Sequence, residues 1–304
     1  MEKGKKIWMD GKLVDWDKAQ VHVLTHTLHY GFGAFEGTRC YKCVDGSAIF
    51  RLEDHLRRLY NSAKILTLEI PVSFEQMVKA SKEIVKANDY EECYLRHLVY
   101  IGDGELGLGT MTNPTRTAIA VWKWGAYLGE EGLKKGIRLK TSSYVRLPVT
   151  SFPAKAKAIG NYVNSILAKR EVLKAGYDEA IMLDTQGYVS EASGENIFLV
   201  YGDTLITPPE SSSILNGITR KSVIELATDL GFTVKQEVFP RDTVYCADEV
   251  FLTGTAAEVT PVREVDNRKI GKGSAGPVAL KIQGEFFKIV LGKNKKYKKW
   301  LTYV

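Results

Sequence analysis

Two lysines, Lys155 and Lys157, stand two residues apart in KAKAIGNY, and a lysine amine is a nucleophile toward an aldehyde. Further on, VSEASGENIF carries Glu191 and Glu195. A carboxylate there has the charge needed to keep a proton on a ring nitrogen. The segment LNGITR (215–220) leads directly into a helix whose pattern begins near Thr219. Unpaired N–H groups at such an N-terminus form a site for an anion such as phosphate. GTAAEVTPV (254–262) adds a hydroxyl, Thr255. Each feature alone is weak, because most K-x-K pairs are surface charges and a lone glutamate in a strand-turn is usually solvated.

Two other clusters point elsewhere. His22, His26 and His29 have helical spacing that could gather three imidazoles for a metal. However, VHVLTHTLHYG alternates as a strand does, and no carboxylate or cysteine pattern completes a ligand set, so no metal is expected. Cys40 and Cys43 form a CxxC, but on a hairpin strand with no following helix they read as ordinary cysteines.

The elements that must position these groups alternate in type. KIWM and KLVDW flank Asp10-Gly11, and GTRCYKCV and SAIFR flank Asp45-Gly46; both steps predict hairpins with type I′ turns. Apolar residues at spacings of three and four predict a helix over 52–66, and Ser73 with Gln76 makes a capping box opening 74–87. Strands follow at 94–101 and 117–122. WGAYLGEEGLKKG (124–136) is Gly-rich and weakly periodic, which suggests a linker between a small domain, 1–123, and a larger one, 137–304.

In the second half a helix near 161–175 precedes four strands, a helix over 219–230 ends at Gly231, and Pro277 starts a last helix with Val278, Ile282, Phe286 and Val290 inward. Hairpins mixed with separate helices argue an α+β fold. No GxGxxG follows a strand, which leaves a Rossmann reading without support.

The chain has 304 residues, of which 44% are apolar and 26% charged, so disorder, collagen and disulfide scaffolds are excluded. Four cysteines suit a reducing compartment. The start has no apolar stretch of signal-peptide length, and no run approaches the ~18 residues of a membrane span. A soluble, cytoplasmic protein is expected. Lys+Arg exceed Asp+Glu by 42 to 36, and much of the excess lies in GKNKKYKKW (292–300), read as a solvated tail. A nucleic-acid function would need interleaved aromatics and a recognition element that this run lacks.

From Glu191 to Arg220 the sequence resembles the signature of class IV pyridoxal-phosphate aminotransferases, through Glu191, Ser193, Asn196-Ile197-Phe198, Leu205, Thr207, Leu215, Gly217-Ile218 and Arg220. HYGFGAFEGTRCY (29–41), HLRRLYNSAKIL (55–66), YLR (94–96), WGAYLG (124–129) and GTAAEVTPV are similar to blocks of the branched-chain amino acid aminotransferases, in the same order. His97 departs from that pattern, because many members have proline after the arginine.

The resemblance implies a fold-type IV enzyme of two α+β domains with pyridoxal 5′-phosphate in the cleft between them. It selects Lys157 over Lys155 as catalytic tether and acid/base, and Glu191 over Glu195 as partner of the pyridine nitrogen. Tyr162 then bonds the cofactor's phenolic oxygen, while Arg58, Thr255 and the Gly217-Ile218-Thr219 turn hold its phosphate.

In the substrate site the resemblance implies that Tyr30, Phe35, Trp124 and Tyr127 are apolar walls and that Gly37 leaves room. Arg96 meets glutamate's distal carboxylate, and Tyr94 with the N–H groups of Thr255 and Ala256 meets the α-carboxylate. Leu108, in DGELGLG, reaches a partner subunit's pocket.

The implied reaction is ping-pong transamination of leucine, isoleucine or valine with 2-oxoglutarate, as one step of branched-chain amino acid biosynthesis. The implied assembly is a homodimer or a homohexamer built as a trimer of dimers, with no nucleic acid or membrane partner. The alternatives are a D-amino acid aminotransferase or aminodeoxychorismate lyase of the same fold, and, more remotely, a non-catalytic nucleic-acid-binding protein with a basic tail.

Overall fold

The computed structural model describes residues 2–125 and 127–304, which divide into two compact units. The first comprises the chain to Trp124 together with Ala156–Asn161 and Ile289–Val304; the second comprises Gly125–Lys155 and Tyr162–Lys288. A single boundary at 124–136 therefore does not describe the division. Two later segments return to the first unit because their backbones pair there: Ala158 bridges Ala34, and Leu301–Tyr303 pairs with the strand at Gly46–Phe50. Of the expected linker, Ala126 lies outside the described residues, and Glu130–Lys135 is a short helix.

In chain order the first unit has β1 (Lys6–Met9), β2 (Lys12–Asp15), α1 (His26–Tyr30), β3 (Gly33–Cys43), β4 (Gly46–Phe50), α2 (Leu52–Ile65), α3 (Phe74–Ala87), β5 (Cys93–Ile101) and β6 (Thr115–Trp122). With the C-terminal strand Leu301–Tyr303 at one edge, the strands form an antiparallel sheet in the order C-terminal strand, β4, β3, β5, β6, β1, β2. Strand alternation gives it two unlike faces. Glu36, Thr38, Leu95, His97, Val99, Ile119 and Val121 are fully buried on one of them. Phe35, Gly37, Tyr94, Arg96 and Trp122 have the opposite parity, and the register Gly37↔Arg96 and Tyr94↔Trp122 sets them side by side.

α3 opens with the expected capping box, Ser73 and Gln76 bonding reciprocally. The Asp10-Gly11 hairpin has positive φ at both turn residues, as type I′ requires. The second hairpin forms with a different turn. Cys43 pairs with Gly46, so the central pair of the turn is Val44-Asp45 instead of the expected Asp45-Gly46, and neither Val44 nor Asp45 has the positive φ of a type I′ turn.

Two further expectations are corrected. VHVLTHTLHYG is a turn followed by α1, not a strand. Its polar side chains bond locally and so compete with a ladder: His22 Nδ1 accepts from Leu24 N, Thr27 Oγ1 donates to Phe32 O, and His29 Nε2 meets Val23 O. GKNKKYKKW is not a solvated tail. Its lysines are exposed, but Tyr297 and Trp300 are buried, with Trp300 edge-on to Phe50 and beneath Arg51. The basic run is thus an amphipathic turn that closes the first unit.

The second unit contains α4 (Glu130–Lys135), β7 (Ile137–Thr141), α5 (Tyr162–Lys174), β8 (Glu179–Leu183), β9 (Val189–Ala192), β10 (Asn196–Tyr201), β11 (Thr204–Thr207) and α6 (Ile218–Asp229). After these come β12 (Thr233–Gln236), α7 (Arg241–Tyr245), β13 (Glu249–Gly254), β14 (Glu258–Val265), β15 (Arg268–Lys269) and α8 (Pro277–Val290), whose last two residues count with the first unit. The sheet runs β12-β11-β10-β13-β14-β7-β8-β9. Ala192 N donates to Glu195 O, turning the β9 edge back toward the start of β10. The core inside includes Ile137, Leu139, Ile181, Ile197, Val250 and Leu252. In α8 Ala279 is buried and Val278 only half-buried, contrary to expectation, because Glu249 receives both their N–H groups and fixes the helix's rotation.

Candidate active site

In the first unit Lys157 lies beside the start of β3. Its N–H donates to Ser62 Oγ (2.9 Å) and its carbonyl accepts from Phe35 N (3.0 Å), while Ile159 N donates to Gly33 O (2.9 Å). The segment thus takes the place beside Gly33–Phe35 that β4 occupies further along. With Ala158 opposite Ala34, alternation sends Lys157 to the side of Phe35, and its Nζ sits 4.8 Å from that ring's centroid. Gly31 and Gly160 lie backbone to backbone, where a Cβ on Gly31 would come 3.1 Å from Gly160 Cα. Lys155 is placed otherwise: its Nζ donates to the carbonyls of Glu210, Ser212 (3.4 Å) and Ile214 (3.1 Å) in the second unit.

The same face carries the expected substrate residues Phe35, Gly37, Tyr94, Arg96 and Trp124. The Arg96 guanidinium is 4.8 Å from the Phe35 ring, 5.4 Å from Tyr94 and 5.7 Å from Trp122, and its buried Nε has no hydrogen-bond partner. Trp124 packs edge-on to Tyr94 at 4.6 Å. Gly37 is required by Tyr94, since a Cβ at residue 37 would lie 1.7 Å from the phenol oxygen. Trp122, which the sequence reading did not single out, completes the aromatic surround; its alternation with Ala120 on β6 was the available signal.

Beneath this face, Glu36 is fully buried. Arg58 donates to it through Nε (2.5 Å) and Nη2 (3.0 Å), and His55 Nδ1 lies 2.8 Å from Oε2. Burial alone would raise the Glu36 carboxyl, but the Arg58 charge and the His55 hydrogen bond outweigh it and hold the group well below the usual carboxylate range. Burial in turn lowers His55. His97 sits opposite Glu36 in the register, bonds Ser81 Oγ through Nε2 (2.8 Å), and is pushed down to about 3 by burial. The departure from proline therefore places a neutral imidazole in the core and leaves β5 regular.

In the second unit Glu191 forms a buried ion pair with Arg146 (3.0 Å) and accepts from Asn196 Nδ2 and Leu215 N, both at 3.1 Å. Asn196 Nδ2 also donates to Leu215 O (3.0 Å), which ties the carboxylate to the turn entering α6. Gly217, at the helix N-cap, has no room for a side chain: its Cβ would lie 2.0 Å from Asn196 Oδ1. No side chain caps α6 and no acidic residue lies in its first turn, so the N–H groups at Ile218 and Thr219 present the positive end of the helix dipole. Arg220 buttresses this end from within, bonding Thr207 Oγ1, Pro208 O and Gln236 Oε1.

Glu195 differs sharply from Glu191. It is buried, accepts from Gly194 N, and burial followed by the neighbouring Glu179 charge pushes its carboxyl far up. Its carboxyl has no cation paired with it among the described residues, whereas Glu191 has Arg146 and two further donors. Arg146, the residue that makes the difference, was missed from sequence because it stands alone in a loop.

The remaining expected residues are dispersed. Thr255 and Ala256 occupy the β13–β14 turn, which the pairing Asn196↔Thr253 sets at the end of the sheet where β10 begins. Tyr162 opens α5 and is half-buried. Tyr30 ends α1 with its ring against His26 (4.6 Å). Tyr127 belongs to the second unit, its ring 5.6 Å from Lys169 Nζ. Leu108 is 90% exposed. His26 Nε2 meets Gly107 O, and among the described residues no group of histidine, cysteine and carboxylate side chains could hold a metal.

A lysine anchored through its backbone, a fixed buried carboxylate and an uncapped helix N-terminus are the parts used by an enzyme that works through a phosphorylated aldehyde cofactor. The family model for amino-transferase class IV matches residues 33–265, and the chain belongs to that family. It is 49% identical over 298 residues, 98% of its length and 97% of the other's, to the branched-chain-amino-acid aminotransferase of Pseudomonas aeruginosa. Among solved structures it resembles a T.th. branched-chain amino acid aminotransferase with pyridoxamine 5′-phosphate, at TM-score 0.96 and 51% identity over 100% of this chain and 99% of that one. It is similar too to the same enzyme complexed with N-(5′-phosphopyridoxyl)-L-glutamate, at TM-score 0.94, 48% identity and the same coverage.

The architecture is fold-type IV and the cofactor is pyridoxal 5′-phosphate. The donor sets fit it: an anion-ready α6 terminus without competing acid suits a phosphate, and Glu191, paired with Arg146, suits a protonated ring nitrogen.

Proposed function

We propose that this protein exchanges the amino group of leucine, isoleucine or valine with 2-oxoglutarate, yielding branched-chain 2-oxo acids and glutamate in alternating half-reactions. The observation that carries this reading is Arg96: a cation surrounded by Phe35, Tyr94 and Trp122, with a buried donor unsatisfied. Aromatic walls accept a branched aliphatic side chain, and the same guanidinium meets glutamate's second carboxylate. One site thereby accommodates both.

Pyridoxal phosphate supplies the electron sink for a carbanion at the substrate Cα. Lys157 would tether the cofactor through its aldehyde, and its amine would be the base that takes the substrate's Cα proton and the acid that returns it. Glu191, oriented by Arg146 and Asn196, holds the proton on the pyridine nitrogen. Tyr162 donates to the phenolic oxygen. Arg58, Thr255 and the N–H groups at Gly217, Ile218 and Thr219 hold the phosphate.

Tyr30, Trp124 and Tyr127 complete the apolar walls, and Tyr94 with the N–H groups of Thr255 and Ala256 binds the α-carboxylate. The exposed Leu108 serves a partner subunit of a homodimer or hexamer. The compartment is the cytoplasm; no helix among the described residues is long and apolar enough to cross a membrane.

An assay of L-leucine with 2-oxoglutarate tests the reading: glutamate and 4-methyl-2-oxopentanoate are expected. Faster turnover of D-alanine than of L-leucine would favour a D-amino acid aminotransferase and overturn the substrate assignment.

A further inference from the structure

Glu36 has no assigned role in substrate binding, its one contact there being with the backbone N–H of Gly37, yet it is fully buried and held well below the usual carboxylate range. Its position on β3 explains both facts. Phe35 and Gly37 point to the substrate face, so Glu36 points beneath the sheet, toward α2. There its two oxygens meet four groups: Arg58 Nε on Oε1, and Arg58 Nη2, His55 Nδ1 and Gly37 N on Oε2. The carboxylate thus engages one edge of the guanidinium in a two-point grip, which fixes its plane as a single contact does not. The Arg58 side chain is only 12% exposed, so little of it is free to reorient through solvent.

We propose that Glu36 is a positioning residue for the cofactor phosphate: it holds the Arg58 guanidinium in the orientation in which it meets the phosphate. This rests on the assignment of Arg58 under the proposed function.

Replacing the carboxylate by an amide cannot preserve the grip. In Glu36→Gln the amide nitrogen must occupy either the Oε1 position, facing Arg58 Nε–H, or the Oε2 position, facing Arg58 Nη2–H and Gly37 N–H. Donor meets donor both ways, and the guanidinium must move. Removing the Glu36 charge also lessens repulsion of a phosphate. The proposal is that loss of orientation outweighs that gain, so the two effects predict opposite signs.

The test compares binding of pyridoxal 5′-phosphate and of pyridoxal, which lacks the phosphate, to apo-protein of the wild type, Glu36→Gln and Glu36→Asp, followed by absorbance and protein fluorescence. The expected result is about ten-fold weaker binding of pyridoxal phosphate by Glu36→Gln, the size of one lost charge-assisted hydrogen bond, with pyridoxal binding unchanged. Glu36→Asp, which keeps the charge but draws the anchor back, should show a smaller loss of the same selectivity. In an Arg58→Ala background neither change should matter further.

Pyridoxal phosphate binding that is unchanged or tighter in Glu36→Gln overturns the proposal, as does equal weakening of both ligands. If Glu36→Gln does not fold, Glu36→Asp decides by the same ratio. Failure of the wild type to bind pyridoxal phosphate would instead refute the functional reading itself.

Discussion

Asn196 Nδ2 bonds Glu191 Oε2 at 3.1 Å and Leu215 O at 3.0 Å, joining the carboxylate proposed for the ring nitrogen to the turn that opens α6, the helix proposed to hold the phosphate. On the proposed assignment, one amide sets the spacing between the groups that hold two ends of the cofactor. Gly217→Ala would place a Cβ 2.0 Å from Asn196 Oδ1 and break this coupling. Cofactor affinity measured by titration of the apo-protein should fall by one to two orders of magnitude, roughly the penalty for ångström-scale misplacement. Wild-type affinity in the variant would show that the network does not position the site.

Arg146 and Glu191 are both buried, so removing the cation leaves an unpaired charge. Arg146→Leu should destabilise the protein by about 3–5 kcal/mol, and the double variant Arg146→Leu/Glu191→Leu by less. Denaturant unfolding of the apo-protein reads this directly; equal costs for the single and double variants would refute it.

The two lysines of KAKAIGNY should separate cleanly. Lys157→Ala should abolish the yellow absorbance of the holoenzyme and its transaminase activity. Lys155→Ala removes a donor shared among loop carbonyls and should cost about 1 kcal/mol of stability while the absorbance band remains. Retention of the band by Lys157→Ala would transfer the tether elsewhere.

His97 links stability to pH. Its ordinary value of 6.5 is pushed down to about 3 by burial, so the folded protein binds fewer protons than the unfolded chain between those values. Its contribution is fully present above pH 6.5 and is lost as pH falls toward 3. Glu36, held low, acts in the same direction below its ordinary value of 4.5. Unfolding free energy should therefore drop by about 2 kcal/mol from His97 alone between pH 6.5 and 5. Urea titrations at the two values check this, and His97→Gln should flatten the dependence. An equally steep loss in that variant would place the proton uptake elsewhere.

Truncation after Leu291 removes Tyr297, Trp300 and the edge strand Leu301–Tyr303. Losing two buried aromatics should cost about 5 kcal/mol or more, enough to unfold a marginally stable unit. Thermal unfolding within a few degrees of the full chain would show that the segment is dispensable.

Much of the fold was legible because local rules and tertiary packing agree. The helix at 52–66 follows from leucines at spacings of three and four, and the helix at 74–87 from a capping box that forms as written. The misreadings share one cause, a regular sequence pattern overridden by contacts that it does not encode. The alternation at 21–31 gave way to side chain–backbone bonds, and the basic run at 292–300 acquired a buried face only because Phe50 and Arg51, far away in sequence, offered one.

By itself the sequence determined the reaction class, since the residues from Glu191 to Arg220 are close enough along the chain for spacing to encode geometry. It also placed Lys157 in its block. Only the tertiary structure decided how the two carboxylates differ, because Glu191 pairs with Arg146 while burial and the Glu179 charge push Glu195 up. Likewise only the fold brought Arg58 against Glu36 and Arg96 over the Phe35 ring. Ionisation and orientation depend on burial and on distances across strands, and a linear string carries neither.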